Sequence, residues 1–255
     1  MQLNEVKALI TGGVSGLGLA VARKVAAVGG QAVLLDINDE AGAAAEAELG
    51  NAVSYVRTDV TDEQAVLDAV AVAVDKMGMI NVAVNCAGII GAGRVLGREA
   101  PMPLDFFAKT IQINLVGSFN VIKAAGAAME SNAAGPDGER GVIVSTASVA
   151  AYEGQIGQAA YSASKGGIVG MTLPIAREFA RIGVRVNAVA PGIFWTPMVD
   201  GMPDHVQESL SASIPFPSRL GKPEEFAELV VHIMENGYIN GETIRLDGAV
   251  RLAPK

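Results

Sequence analysis

Short apolar runs alternate along the chain with longer segments of helical periodicity. The apolar runs predict seven strands, which lie at residues 8–10, 32–35, 53–56, 82–84, 142–144, 184–189 and 243–246. Between them, apolar residues recur with helical spacing at about 16–28, 39–48, 62–77, 104–130, 159–181 and 223–235. Such alternation is typical of right-handed βαβ units. We therefore expect an α/β fold, with a seven-stranded, mostly parallel, doubly wound sheet and helices on both faces.

Three long connectors interrupt this rhythm. Residues 91–103 and 131–141 are rich in turn-forming residues and predict surface loops. Residues 191–218 carry five prolines together with large apolar side chains, which is unusual for a simple connector. We predict that this third segment is a substrate-binding loop. For its apolar residues, core packing or a subunit interface is the alternative; they include Phe194, Trp195, Met198 and Met202.

Length and composition narrow the class of protein. The chain has 255 residues, half of them hydrophobic, and we expect one domain over residues 1–255. A net charge of −8 disfavours nucleic acid as a main partner. Because Cys86 is alone and neither a leader nor a membrane span is apparent, we expect a soluble protein of a reducing, cytoplasmic compartment. His205 and His232 lack metal-ligand spacing, so we assign no metal.

A glycine-rich turn follows the first predicted strand and opens the first helix. Gly12 suits the tight turn, Gly16 allows close approach of phosphates, and Gly18 allows close packing of helix and strand. Helix N-terminal N–H groups bind pyrophosphate well. Such a string arises easily by chance in a chain with 30 glycines, so its position after a strand carries the prediction. Ser15 and Leu17 belong to the same predicted phosphate site.

Asp36 ends the second predicted strand, 18 residues after Gly18. A carboxylate there can accept hydrogen bonds from the hydroxyls of an adenosine ribose, and its charge repels a 2′-phosphate. No Arg or Lys occurs at residues 12–18 or 31–40, so we expect NAD and not NADP. The alternative is a solvated acid that begins a turn with Asn38 and Asp39.

Tyr161 and Lys165 stand four residues apart in a predicted helix, so their side chains leave the same face. A phenol with a pKa of about 10 is a poor base at neutral pH, but a neighbouring ammonium and a nicotinamide cation both favour the phenolate. Tyr161 could then exchange a proton with an alcohol while hydride passes to the nicotinamide. Ser148, 13 residues earlier, could hold the substrate oxygen. We interpret Ser162 and Ser164 as ordinary helix surface.

The chain resembles the short-chain dehydrogenase/reductase superfamily, which has a Rossmann fold. The motifs that carry the resemblance are residues 11–18, residues 85–88, Asn114, Ser148, Tyr161, Lys165 and residues 191–192. The resemblance implies that Asn114 holds a water molecule in the proton relay and that Lys165 also binds the nicotinamide ribose. It implies that Thr196 meets the carboxamide and that Pro191 and Gly192, which precede it, also belong to the cofactor site. Further implied cofactor contacts are Asp59 and Val60 at the adenine, and Asn85, Ala87 and Gly88 beside the central strands. Where the family usually has a second asparagine the chain has Cys86, which we interpret as a small buried thiol.

Residues 146–151, 158–177, 215–221 and 244–249 are similar to the type II 3-hydroxyacyl-CoA dehydrogenases. This closer resemblance implies a homotetramer that uses NAD to oxidise the 3-hydroxyl of a 3-hydroxyacyl-CoA to the 3-ketoacyl-CoA, a step of fatty acid metabolism. Residues 91–103 differ in length and composition from the corresponding loop of mitochondrial members.

Three other functions stay open at this point. Two are enzymatic: a hydroxysteroid or other secondary-alcohol dehydrogenase, and a 3-ketoacyl reductase, although Asp36 counts against reductases that use NADP. The third is a non-catalytic dinucleotide-binding scaffold or redox sensor. The presence of Ser148, Tyr161 and Lys165 disfavours it, because a pure binding module gains nothing from this triplet.

Overall fold

In a computed structural model, residues 1–196, 199 and 204–254 are described. Their seven strands form one sheet in the order β3-β2-β1-β4-β5-β6-β7, and every neighbouring pair is parallel. The strands are β1 Lys7–Thr11, β2 Gln31–Asp36, β3 Val53–Arg57, β4 Val82–Asn85, β5 Gly141–Thr146, β6 Val184–Pro191 and β7 Thr243–Leu246. The predicted doubly wound α/β fold is confirmed.

Helices cover both faces of this sheet. They are α1 Gly16–Ala27, α2 Asp39–Leu49, α3 Glu63–Met77, α4 Leu104–Ile111, α5 Gly117–Glu130, α6 Ala159–Phe179, α7 Asp204–Ala212 and α8 Pro223–Glu235. One apolar cluster joins α1 and α8 to the sheet, and a second joins α3 and α5 to its other face. A π-helical turn, Gln112–Val116, connects α4 to α5, so the predicted helix at 104–130 contains one widened turn.

The central strands are apolar on both faces because each face packs against helices. In β1, Ala8 and Ile10 belong to one apolar cluster, whereas Leu9 belongs to the other, and all three are fully buried. Strands buried on both sides read as largely apolar runs, which explains why the sequence pattern predicted the five inner strands. The edge strands β3 and β7 are only partly buried.

Two local predictions were wrong. We expected a loop throughout residues 191–218, but residues 204–212 form α7, a largely polar helix. The spacing of Thr61 and Gln64 in the sequence resembles a capping box that would begin α3 at Thr61, but the N-cap is Asp62, whose carboxylate accepts from the amides of Gln64 and Ala65. Thr61 donates instead to Asp59. Met198 and Met202 lie outside the described residues.

The parallel order brings the carboxyl ends of the strands to one edge of the sheet. The chain moves outward from β1 in one direction to β2 and β3, and in the other direction to β4 and beyond, so a crevice forms at the ends of β1 and β4. Ligands bind at such reversal points in open α/β sheets. Among the described residues, no helix combines the length and apolarity that crossing a membrane requires.

Candidate active site

The glycine-rich turn packs tightly between β1 and α1. Gly12 and Gly16 have positive φ angles of 60° and 49°, a backbone conformation that favours glycine. A Cβ atom on Gly18 would lie 2.2 Å from the carbonyl oxygen of Gly12. Ser15, the N-cap of α1, makes no side-chain hydrogen bond to the first turn, so the N–H groups there face the turn without a capping side chain. This arrangement fits a pyrophosphate.

The predicted adenosine side of the site lies at the ends of β2 and β3. The Oδ1 atom of Asp36 accepts from the amides of Ile37 and Asn38, at 2.8 and 3.2 Å. Both bonds orient the carboxylate at the edge of the sheet. The exposed Asp59 and the buried Val60 follow β3, which pairs with β2. The three residues therefore follow two neighbouring strands at the carboxyl edge of the sheet.

The segment after β4 lies against the glycine-rich turn. The amide of Ala87 donates to the hydroxyl of Thr11 at 3.1 Å. Asn85 is buried; its Nδ2 donates to Ser145 Oγ at 3.1 Å, while its Oδ1 has no partner among the described residues. A Cβ atom on Gly88 would lie 3.1 Å from Asn114 Oδ1 and 3.7 Å from Lys165 Nζ. The structure thus brings the segment after β4 to the predicted catalytic residues.

Asn114 is fully buried in the π-helical turn and cross-links two parts of the site. Its Oδ1 accepts from the amide of Ile89 at 2.8 Å, and its Nδ2 donates to the carbonyl of Ile89 at 2.9 Å. Nδ2 also donates to Ser164 Oγ at 3.0 Å. The Asn114 side chain therefore fixes the segment after β4 to α6.

The interpretation of Ser162 and Ser164 as helix surface was wrong. Ser164 is fully buried, and its hydroxyl donates to the carbonyl of Tyr161 at 2.7 Å. Ser162 is half-buried, and its buried Oγ has no partner among the described residues. Ser164 faces Asn114 in the widened turn, whereas Ser162 faces Gly154 in the segment before α6, where a Cβ built on Gly154 would lie 2.2 Å from Ser162 Oγ. Both serines therefore face protein and not solvent.

Ser148 and Tyr161 approach each other across a short connecting segment. Ser148 follows β5 and is buried; its hydroxyl accepts from the amide of Ala150 at 3.1 Å and so caps the short helical turn Val149–Ala151. Burial raises the pKa of the Tyr161 phenol, and a hydrogen bond to Ser148 opposes this change only partly. The sequence analysis predicted a lowered pKa for Tyr161. In the protein without cofactor the pKa is raised instead, because burial disfavours the phenolate.

Lys165 supplies positive charge beneath Tyr161. Its Nζ donates to the carbonyl of Thr146 at 2.6 Å and lies 5.8 Å from the centre of the Tyr161 ring. Burial lowers the pKa of this ammonium to about 8, and it raises the pKa of the nearby Cys86 thiol to about 11. At neutral pH the lysine is therefore charged and the thiol is protonated.

Three residues predicted to contact the cofactor lie at and after the end of β6, on the far side of the crevice from Asp36. Pro191 ends β6, and Gly192 donates its amide to the carbonyl of Leu246 at 2.9 Å. Thr196 follows, and its carbonyl accepts from the amide of Val199 at 2.9 Å. Among the described residues, no hydrogen bond joins these three to Tyr161 or Lys165.

Sequence reasoning missed the roles of Thr11 and Thr146. The Thr11 hydroxyl accepts hydrogen bonds from the amides of Cys86 and Ala87, and the Thr146 carbonyl accepts one from Lys165 Nζ. A polar residue at the end of a buried strand was the available signal, but its partner depends on the neighbouring strand. Among the described residues, no group of three or more His, Cys, Asp or Glu could hold a metal ion.

The pKa of Lys165 predicts a measurable pH dependence of stability. Between about pH 8 and 10.5 the unfolded chain binds more protons at this lysine than the folded chain, so the free energy of unfolding rises with pH. The gap between 10.5 and about 8 corresponds to about 3 kcal/mol. Urea unfolding of the cofactor-free protein across this range should show the free energy of unfolding of the wild type rising relative to that of Lys165→Met. The raised pKa values of Cys86 and Tyr161 lower the stability of both proteins above about pH 9, so the difference between the two curves is the measurement. Parallel curves for the two proteins would contradict it.

The chain belongs to the short-chain dehydrogenase/reductase superfamily, and it is an oxidoreductase that uses a nicotinamide dinucleotide and a small-molecule substrate. The family profile described as "Enoyl-(Acyl carrier protein) reductase" matches residues 12–250. That match covers the turn after β1, the Tyr161 region and β7, so the predicted family is confirmed.

More specific similarity is to proteins named 3-hydroxyacyl-CoA dehydrogenase type-2. The Homo sapiens protein of that name is 52% identical over 249 residues, which cover 97% of this chain and 95% of the relative. The Drosophila melanogaster protein is 49% identical over 254 residues, covering 99% and 100%. A crystal structure of 3-hydroxyacyl-CoA dehydrogenase type-2 from Mycobacterium avium matches with a TM-score of 0.96 at 42% identity, covering 100% of this chain and 99% of that one.

Proposed function

We propose that this chain is an NAD-dependent dehydrogenase that oxidises the 3-hydroxyl of a 3-hydroxyacyl-CoA to the 3-ketoacyl-CoA. The observation that carries the proposal is the grouping of Ser148, Tyr161 and Lys165 at the carboxyl edge of the sheet, beside a glycine-rich turn that fits pyrophosphate. The substrate class is supported by the names of relatives about half identical over nearly the whole chain.

Each catalytic residue has a role that its surroundings favour. Ser148 holds the substrate oxygen through its hydroxyl, and Tyr161 removes the hydroxyl proton as general base. A bound nicotinamide would supply an acceptor for the hydride from C3 of the substrate and positive charge near the phenol. Lys165, held by the Thr146 carbonyl, stabilises the phenolate. Asn114 keeps α6 and the segment after β4 in register and belongs to the proton relay.

The proposed cofactor contacts follow the crevice from β3 to β6. The turn at residues 12–18 receives the pyrophosphate and Asp36 receives the adenosine ribose. Tyr161 and Lys165 meet the nicotinamide ribose. The remaining contacts are Asp59 and Val60 at the adenine, Asn85, Ala87 and Gly88 beside the central strands, Pro191 and Gly192 at the end of β6, and Thr196 at the carboxamide.

Replacing Asp36 with Ala should weaken the preference for NAD. The carboxylate accepts from the ribose hydroxyls and repels a 2′-phosphate, so its removal should lower kcat/KM with NAD about ten-fold and raise that with NADP. Glu40→Ala, which removes an exposed acid in the first turn of α2, serves as the matched control and should change neither value. Equal use of NAD and NADP by the wild-type protein would overturn the assignment.

The substrate is tested by the appearance of NADH absorbance. Purified protein is mixed with NAD and, separately, 3-hydroxybutyryl-CoA, longer 3-hydroxyacyl-CoAs, 2-methyl-3-hydroxybutyryl-CoA or a panel of hydroxysteroids. We expect the highest kcat/KM among the CoA thioesters. A higher value with a hydroxysteroid, or turnover only as a 3-ketoacyl reductase with NADPH, would replace the proposed substrate class.

We also propose a homotetramer in the cytoplasm. Large apolar side chains remain exposed on α5 and α6: Phe119 is 47% and Leu173 is 43% exposed. Neighbouring exposed positions of α6 are small, with no atom within 4 Å of a Cβ built on Gly166 or Gly170, so another helix can approach closely. The single, half-buried Cys86 suits a reducing compartment.

A further inference from the structure

Four charged residues form a cluster at the carboxyl end of β7. Arg245 donates from Nη1 and Nη2 to the two carboxylate oxygens of Glu153, at 2.8 and 2.9 Å, and from Nε to Asp247 at 2.7 Å. Arg251 also pairs with both acids, at 3.4 and 3.2 Å. We call these residues the Arg245 cluster. Two positive and two negative charges balance, and the Asp247 side chain is only 9% exposed.

The Arg245 cluster binds the segment that connects Ser148 to Tyr161 through Glu153. Glu153 lies within this segment, and we call residues 152–158 the Ser–Tyr loop. The C-terminal tail, residues 249–254, lies alongside: Ile156 donates its amide to the carbonyl of Pro254 at 3.0 Å, and Gln155 Nε2 donates to the carbonyl of Ala253 at 3.0 Å. On the loop's other side, the amide of Gly93 donates to the carbonyl of Gly157 at 2.7 Å.

The same cluster also touches the cofactor side of the crevice. A Cβ atom built on Gly192 would lie 2.9 Å from Cα of Asp247. The Arg245 guanidinium lies 5.2 Å from the ring of Tyr152, the first residue of the Ser–Tyr loop. The cluster therefore spans the gap between the end of β6 and the loop beside the catalytic hydroxyls.

An alcohol held by Ser148 and Tyr161 lies next to the chain that joins them. The Ser–Tyr loop has no strand partner in the sheet, so its position depends on the cluster, the tail and Gly93. Ile156 leaves 54% of its surface exposed, which offers an apolar contact to a substrate chain. α6 itself is held separately by Asn114 and Ser164.

We propose that Glu153 and Arg245 are positioning residues that, together with the C-terminal tail, hold the Ser–Tyr loop as the acyl-binding wall of the cleft. The proposal rests on the proposed function for the identity of the substrate. The Arg245 cluster then affects the affinity for substrate, but it affects neither cofactor binding nor the chemical step.

The test compares two identical substitutions in two similar ion pairs. Glu153→Gln removes the charge that Arg245 grips, and Glu48→Gln does the same to the bidentate pair with Arg23 on the surface of α1 and α2, at 2.6 and 2.9 Å. Arg245→Lys keeps the positive charge but loses the two-pronged geometry. The measurements are KM and kcat with 3-hydroxybutyryl-CoA, NADH binding by fluorescence, and hydrogen–deuterium exchange of residues 152–158.

We expect Glu153→Gln to raise KM about five-fold or more, with kcat and the Kd of NADH changed less than about two-fold. The amide of Ile156 should exchange about ten times faster. Arg245→Lys should fall between this variant and the wild type, and Glu48→Gln should match the wild type. Unchanged KM and exchange, or a loss of NADH binding in proportion to KM, would overturn the proposal.

Failure of the proposed function gives a different result. If the wild-type protein does not oxidise 3-hydroxybutyryl-CoA, KM is measured with whichever alcohol of the panel is turned over. Exchange at residues 152–158 needs no substrate, so faster exchange in Glu153→Gln with NADH binding intact would still support the loop assignment, and unchanged exchange would still refute it.

Discussion

Replacing Tyr161 with Phe is expected to lower kcat for oxidation of 3-hydroxybutyryl-CoA by about 10²- to 10⁴-fold. The phenylalanine ring fills the same space beside Lys165, so NADH should still bind, but no group remains to take the alcohol proton. The loss should persist at every pH between 6 and 10, because no titration restores a missing hydroxyl. The measurement is the rate of NADH formation together with NADH affinity.

Tyr238→Phe is the matched control for this result. The Tyr238 side chain is fully exposed and lies far along the chain from the site, so the same loss of a hydroxyl there should leave kcat unchanged. A Tyr161→Phe protein that binds NADH and keeps full turnover would show that another group is the base.

Replacing Arg185 with Met should cost about 3–5 kcal/mol in the free energy of unfolding. The Arg185 side chain is 8% exposed and pairs with Glu139 at 2.7 Å. It also donates to the carbonyls of Ile233, Met234 and Ile239 near the end of α8, at 2.8, 3.1 and 2.8 Å. Met fills similar volume, but the carbonyls of Ile233 and Met234 lose this donor, and the shielded Glu139 carboxylate loses its guanidinium partner. The Ile239 carbonyl keeps the Asn187 side-chain amide at 3.0 Å, and Glu139 keeps the N-terminal amine at 3.5 Å. Urea unfolding measures the loss.

Arg23→Met provides the comparison for this stability change. Arg23 and Glu48 form a bidentate pair whose side chains are about half exposed, at 48% and 45%, so solvent screens the interaction. We expect a loss of less than about 1 kcal/mol there. Equal losses in the free energy of unfolding for Arg23→Met and Arg185→Met would show that burial does not determine how much these ion pairs stabilise the fold.

The five inner strands could be predicted from the sequence because burial on both faces makes each of them a largely apolar run, whereas the edge strands β3 and β7 are only partly buried. The helix α7 could not, because its surface is mostly polar and its position depends on the loop that carries it. The start of α3 shows the same limit at a single residue: Thr61 and Asp62 are both good N-caps, and only the backbone path decides that Asp62 is used.

The positions of the site residues were predictable from their spacing, but their surroundings were not. Tyr161 and Lys165 do share α6, as four-residue spacing requires. The burial of Ser164 depends on the widened turn at Asn114, which is a tertiary feature with no local signal. The direction of the Tyr161 pKa was wrong for the chain alone, because the sequence argument included nearby charges but not the burial that opposes them.

Transfer of hydride from C3 of a 3-hydroxyacyl-CoA is tested most directly with 3-hydroxybutyryl-CoA that carries deuterium at C3. After incubation with the protein and NAD, we expect mass spectrometry to find one deuterium on the nicotinamide ring of the product and a 3-ketoacyl-CoA without label at C3. NADH without deuterium, or unchanged substrate in the presence of NAD, would contradict the proposed function.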